Sequence, residues 1–314
     1  MPPKYSVIVP CYNEEAVLRE THKRLTQVLS QMDGDYEILY VNDGSRDKTP
    51  EILRRLSRED AHVRCIHFAR NAGHQMAVTA GLDYADGDAV IIIDADLQDP
   101  PEVIPEMAEK WKNGAQVVYG QRKARAGESA FKKVTASAYY KLLSWLTGGM
   151  VPRDTGDFRL VDKKVADAVR GMPEHARFLR GMFAWVGFKQ EAVLYDRDKR
   201  FAGETHYPLK KMLKLAADGV FSFSFKPLKA ITGLGVGMLA VFLLTLLILL
   251  ILLCCGIGGG LWWLADLMLF LSGCILTALG VTGEYIARIY DETRGRPLYI
   301  VADTQGFENR EEEP

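Results

Sequence analysis

Five short apolar runs punctuate the first 120 residues: Ser6–Pro10, Glu37–Asn42, Val63–His67, Ala89–Ile93 and Gln116–Tyr119. Between them, apolar residues recur at helical spacing over Glu14–Gln31, Lys48–Glu59, His74–Tyr84 and Glu102–Trp111. Runs that short and that uniformly apolar are the mark of strands buried on both faces. Strand and helix taking turns predict an α/β fold, a mostly parallel sheet with helices on both faces. A further strand is expected over Phe158–Val161.

The pattern changes after Arg125. Phe131, Val134, Ala138, Leu142 and Trp145 recur at helical spacing beside Lys132, Lys133 and Lys141, predicting an amphipathic helix over 131–148. Pro208–Val220 repeats the arrangement, with Leu209, Met212, Leu213 and Ala216 beside Lys210, Lys211 and Lys214. Such basic amphipathic segments either lie among lipid headgroups or pack on the globular domain. Beyond them, Ile231–Leu253 carries no charge and Leu261–Gly283 carries only Asp266. A helix of that length rises about 34 Å, enough for a hydrocarbon core of about 30 Å. The expected organisation is therefore a domain over 1–205, a juxtamembrane segment over 206–229, transmembrane helices over 230–254 and 260–284, and a tail over 285–314. Lys226, Lys229, Arg288, Arg294 and Arg296 flank the pair, so both termini are expected in the cytoplasm of a multi-pass inner (plasma) membrane protein. Tyr5–Pro10 already reads as a strand, leaving no room for a cleavable signal. The acidic stretch Glu308–Pro314 reads as disordered.

Composition narrows the partners. With 39 Lys+Arg against 40 Asp+Glu there is no excess positive charge, and no nucleic-acid partner is expected. The five cysteines show no metal-ligand or disulfide spacing. Gly233, Gly235 and Gly237 would permit close helix contacts, so a homo-oligomer is open.

The chemistry gathers at the ends of the predicted strands. Asp94-Ala95-Asp96-Leu97-Gln98 follows Ala89–Ile93, and in an extended chain Asp94 and Asp96 point the same way. Paired carboxylates suit a hard cation, Mg2+ or Mn2+, that bridges protein to substrate phosphates. Val9-Pro10-Cys11-Tyr12-Asn13-Glu14-Glu15 reads as a strand, a turn and a helix start, with Asn13 as N-cap. There Pro10, Tyr12 and Glu14 are candidates to line a nucleotide pocket. Asp43, in Asn42-Asp43-Gly44-Ser45, either makes an Asp-Gly turn or accepts from a base or ribose. No G-x-G-x-x-G and no P-loop is present, so redox-cofactor and P-loop chemistry lack their anchors. His74 reads first as a helix-start residue and only second as a site residue.

Taken together these segments resemble the family 2 glycosyltransferases of GT-A fold. The likeness is greatest to the polyprenyl-phosphate glycosyltransferases, which include dolichol-phosphate mannose synthases and bacterial undecaprenyl-phosphate glucosyltransferases. It extends through Tyr119-Gly120-Gln121-Arg122, Gly156-Asp157-Phe158-Arg159-Leu160, Arg200-Phe201-Ala202-Gly203-Glu204-Thr205-His206-Tyr207 and Gly295-Arg296-Pro297-Leu298-Tyr299. Where the family often has Ser-Lys-Tyr, this chain has Thr205-His206-Tyr207. The resemblance implies inverting, metal-dependent transfer from a nucleotide sugar, UDP-glucose first, to polyprenyl phosphate. It makes Asp96, with Asp94, the metal ligands and places Gln98 on the diphosphate or on a metal-bound water. Arg122, Lys133 and Arg200 become a clamp for the acceptor phosphate, and Asp157 a carboxylate near the sugar, as base or as orienting group. GDP-mannose as donor, or a non-catalytic scaffold or flippase component for lipid-linked sugars, are the alternatives.

Overall fold

The computed structural model describes residues 3–122, 155–196 and 260–307, with positions 244, 247, 248, 251 and 255. The chain divides into two compact units, Met1–Leu215 with Arg296–Pro314, and Ala216–Gly295.

In the first unit β1 (Tyr5–Cys11), α1 (Leu18–Leu29), β2 (Tyr36–Asn42), α2 (Thr49–Glu59), β3 (Val63–Phe68), α3 (His74–Tyr84) and β4 (Ala89–Ile92) follow one another. A 3-10 turn, Pro101–Val103, leads into α4 (Ile104–Lys112) and β5 (Val117–Arg122). After the undescribed stretch come β6 (Thr155–Asp162), α5 (Lys163–Arg170), α6 (Leu179–Trp185) and β7 (Gln190–Tyr195). The sheet runs β7-β5-β6-β4-β1-β2-β3-β8, its last strand β8 (Val301–Gln305) coming from the far end of the chain. Strands β4, β1, β2 and β3 are mutually parallel, whereas β6 enters antiparallel between β4 and β5.

Every residue of β1 and β2 is buried, which is why both read as unbroken apolar runs. One face packs Val7, Val9, Ile38 and Tyr40 against Leu18 and Leu25 of α1, Leu53 of α2, and Ile104 and Met107 of α4. The other face carries α3, laid across β1 and β2. The mostly parallel sheet with helices on both faces is thus present. The N-cap expected at Asn13 is not: α1 begins at Leu18, and Asn13 sits at φ 58 with its Oδ1 accepting from Arg46 N at 2.9 Å.

The segment 296–307 is more than a tail. Its β8 pairs antiparallel with β3, and Tyr299 stacks on Phe68 at 5.0 Å while its hydroxyl donates to Asp83 at 2.7 Å. Phe307 meets Tyr84 edge-on.

In the second unit α7 spans Gly260–Thr293. The expected transmembrane pair is corrected here. Among the described residues no helix is long and apolar enough to cross a membrane. Within α7 the longest stretch free of charge is the 17 residues between Asp266 and Glu284. They rise about 26 Å, short of a core of about 30 Å. The multi-pass placement in an inner membrane falls with that correction. The span expected over 230–254 lies almost wholly outside the described residues, as do the amphipathic segments at 131–148 and 206–229.

Candidate active site

Parallel strands deliver their carboxyl ends to one edge, and the chain leaving β1, β2 and β4 lines it. These loops are tied to one another. Asn13 N donates to Ser45 Oγ at 3.0 Å, Glu14 N to Thr49 Oγ1 at 2.8 Å, and Lys48 N to Glu15 Oε2 at 3.0 Å. Pro10 is buried in β1, Glu14 is half-buried, and Tyr12 is 40% exposed at the rim.

Asp43 is buried, and both its oxygens are engaged by the loop before α3. Oδ1 accepts from Ala72 N at 2.6 Å; Oδ2 accepts from Gly73 N at 2.9 Å and Asn71 Nδ2 at 2.8 Å. Burial raises its pKa, against the lowering by those N–H groups and by His74. Gly44 makes this closure possible: it sits at φ 64, and a Cβ there would fall 2.6 Å from Asn71 N. The Asp-Gly turn and the carboxylate therefore cooperate to hold residues 71–73, and with them the start of α3.

After β4 the chain alternates. Ala95, Leu97 and Asp99 are buried; Asp94, Asp96 and Gln98 are half-exposed. Leu97 adopts φ 56, uncommon for a bulky side chain, and is 2% exposed. Thr21 Oγ1 of α1 ties Ala95 O down at 2.7 Å, and Gln98 N donates to Asp96 Oδ1 at 3.1 Å. All three lie in the turn that follows β4 rather than in an extended strand.

A chain of alternating charge runs on from Asp94. His74 Nε2 donates to Asp94 Oδ1 at 2.8 Å, and its Nδ1 lies 3.9 Å from Asp157 Oδ2. Arg180 closes the series with a two-point contact, Nε to Asp157 Oδ1 at 2.7 Å and Nη2 to Oδ2 at 3.0 Å. Burial alone would lower the His74 pKa, but Asp94 and then Asp157 outweigh it and raise the value to about 9. Burial would raise both acids; His74 instead holds Asp94 below its usual range, and Arg180 holds Asp157 well below. At neutral pH all four groups are charged. Around them lies a cleft of about 200 Å3, lined by Gly73, His74, Gln75, Asp157, Phe178 and Arg180.

Arg122, at the end of β5, lies on the Asp157 side. A Cβ on Gly156 would come within 2.9 Å of its Nη2, so glycine is what lets the guanidinium lie against the start of β6. Arg122 Nη2 is 3.8 Å from Asp99, whose Oδ1 accepts from the Tyr195 hydroxyl at 2.5 Å. Lys133 and Arg200 lie outside the described residues. His74 and Arg180 were missed as site residues in the sequence. For Arg180 a signal existed: it is a lone cation in Phe178–Trp185, whose Leu179, Met182 and Phe183 are buried.

The donor set can be tested against a divalent cation. Among the described residues no three His, Cys, Asp or Glu side chains form a self-contained metal site. Asp94, Asp96 and Gln98 are each half-exposed and carry the hard oxygen donors that Mg2+ takes when substrate phosphates complete its shell. By donor type they would suit such a cation.

A family model described as glycosyl transferase family 2 matches residues 6–170, more than half of the chain. The chain belongs to glycosyltransferase family 2. Similar full-length relatives agree with that assignment. The uncharacterised glycosyltransferase YkcC of Bacillus subtilis (strain 168) is 53% identical over 313 residues, 98% of this chain and 96% of its own. A prophage bactoprenol glucosyl transferase homologue of Escherichia coli (strain K12) is 39% identical over 314 residues, covering 95% of this chain and 98% of its own. A glucosyl-3-phosphoglycerate synthase structure from Mycobacterium tuberculosis, in complex with Mg2+ and UDP, matches with a TM-score of 0.50. Its identity is 20%, it covers 70% of this chain and 77% of that one, and the likeness is one of fold. The protein is a glycosyltransferase with a GT-A-like sheet, and a purely non-catalytic scaffold or flippase role is set aside.

Proposed function

We propose that this glycosyltransferase moves one sugar, glucose from UDP-glucose, onto the phosphate of a polyprenyl phosphate by a single inverting displacement. The observation that carries the reading is Asp94, half-exposed beyond β4 and linked through His74 to Asp157 at the carboxyl edge of the sheet, with half-exposed Asp96 and Gln98 following it in the chain. The lipid-phosphate acceptor is supported by full-length relatives named bactoprenol glucosyl transferase, from Escherichia coli and from Shigella phage SfII.

Asp96, with Asp94 and Gln98, would hold Mg2+ or Mn2+. The cation would neutralise charge gathering on the leaving diphosphate. Tyr12, with Pro10 and Glu14 behind it, would flank the base. Asp43 would act through the 71–73 loop it holds. Arg122, with Lys133 and Arg200, would clamp the acceptor phosphate, arginine being suited to two-point phosphate contact. Asp157 would face the acceptor and orient it; a carboxylate held that far below its ordinary range abstracts protons poorly.

Purified protein given Mg2+, polyprenyl phosphate and labelled UDP-glucose or GDP-mannose tests this. Organic-extractable label from UDP-glucose is the expected result. Extractable label from GDP-mannose alone would replace the donor, and none from any nucleotide sugar would overturn the reading.

A further inference from the structure

We propose that Arg180 is a positioning residue that makes this site select an acceptor arriving already ionised. By gripping both oxygens of Asp157, it withdraws that carboxylate from proton abstraction and shields its charge from an incoming anion. The inference rests on the reading of Asp157 as the acceptor-facing carboxylate.

The geometry is specific. Asp157 is 13% exposed at its side chain and Arg180 28%, and the two N–H···O contacts, 2.7 and 3.0 Å, run to separate carboxylate oxygens. A fork of that kind fixes direction as well as distance. Arg180 is itself held, because Leu179 N, at the start of α6, donates to Gln75 Oε1 at 3.0 Å. Gln75 neighbours His74, so one turn of α3 sets the Asp94 contact through one residue and the Arg180 helix through the next. The charged groups acting on Asp157 are His74 from α3, Arg180 from α6, Arg159 from β6 and Asp94 beyond β4, while Arg122 of β5 lies against the neighbouring Gly156. Arg159 donates to the Asp157 and Gly156 carbonyls rather than to the carboxylate, and lies over Phe183 at 4.8 Å. Arg180 alone grips the carboxylate at two points among these.

The chemistry follows from the grip. An alcohol acceptor needs a base whose pKa lies near the working pH, and a carboxylate pinned by a guanidinium is far from it. A phosphate monoester, with a second pKa of about 6, is a dianion by pH 8 and needs no base. In the transfer an acceptor oxygen lone pair forms the new bond to sugar C1. The C1–O bond to the diphosphate breaks, its electron pair leaves with the nucleoside diphosphate, and no proton moves. What such an acceptor does need is an approach free of bare negative charge, which Arg180 provides at Asp157.

Arg180→Gln and Arg180→Lys enzymes, assayed from pH 6 to 8.5 with UDP-glucose and a short-chain polyprenyl phosphate, test this. For Arg180→Gln, kcat/KM for the acceptor should fall about tenfold or more at pH 8, while KM for UDP-glucose moves less than about threefold. The deficit should narrow toward pH 6, where the acceptor phosphate, with its second pKa of about 6, takes up a proton and is repelled less by the bare carboxylate. Arg180→Lys, which keeps charge without the fork, should lie between and show the same trend. If Arg180→Gln does not fold, the lysine variant carries the test. A loss independent of pH, an equal loss on both substrates, or no loss would overturn the role of Arg180. Wild-type enzyme that glycosylates no polyprenyl phosphate would instead overturn the underlying function.

Discussion

At the scale of single residues, half-exposed carboxylates count for more here than the apolar residues between them. Asp96→Asn leaves size and packing intact but removes the charge a cation needs. Transfer should drop about a hundredfold with the melting temperature unchanged, and activity above about a tenth of wild type would contradict the metal role. Gly156→Ala probes the other side of the cleft. Its Cβ would press on Arg122 Nη2 from 2.9 Å. The expected outcome is a higher KM for the lipid phosphate with KM for the donor unchanged; equal changes would dissociate Arg122 from the acceptor. Asp94 and Asp96 were legible because an acid pair after an apolar strand is a local pattern. His74 and Arg180 were not, because their partners stand 20 and 23 residues away.

At the scale of elements, the parallel half of the sheet was legible because strands buried on both faces cannot hide among polar residues. β1 to β4 and the helices between them match the apolar runs closely. Strand β6 was foreseen, but not its antiparallel entry between β4 and β5; β8 returns from some 230 residues away, and no local pattern encodes such pairing. The same blindness produced the transmembrane reading, since apolar length was counted across Asp266. Strand β8 covers the edge of β3, which would otherwise offer unpaired backbone to other chains. Tyr299 anchors that cover by stacking on Phe68. Tyr299→Ala should lower stability by about 2 kcal/mol in urea unfolding, from lost ring burial and stacking. A change within error would show that β8 holds without its anchor.

At the scale of the whole molecule, three buried or half-buried histidines, shifted in opposite senses, set a pH optimum of stability. Burial lowers the pKa of His22, against Asp60 and Glu59. It also lowers that of His67, aided by Arg54 and opposed by Asp303 and Gln305. Below an unfolded value of about 6.5 the unfolded chain therefore binds more protons, and stability is lost as pH falls. His74 is raised to about 9, so its contribution is complete below about 6.5 and fades as pH rises through 9. In chelator the melting temperature should peak near neutrality and fall on both sides. His67→Gln should flatten the acid limb and His74→Asn the alkaline one; unchanged limbs would mean that other groups govern them.

In the proposed reaction sugar alone, without phosphate, passes from a nucleoside diphosphate to a lipid phosphate. Identifying both products of one reaction with UDP-glucose and undecaprenyl phosphate tests it. UDP and a glucosyl phosphodiester lipid in equal amounts are expected. Release of UMP, or a glucose-containing polymer in place of the lipid, would contradict it.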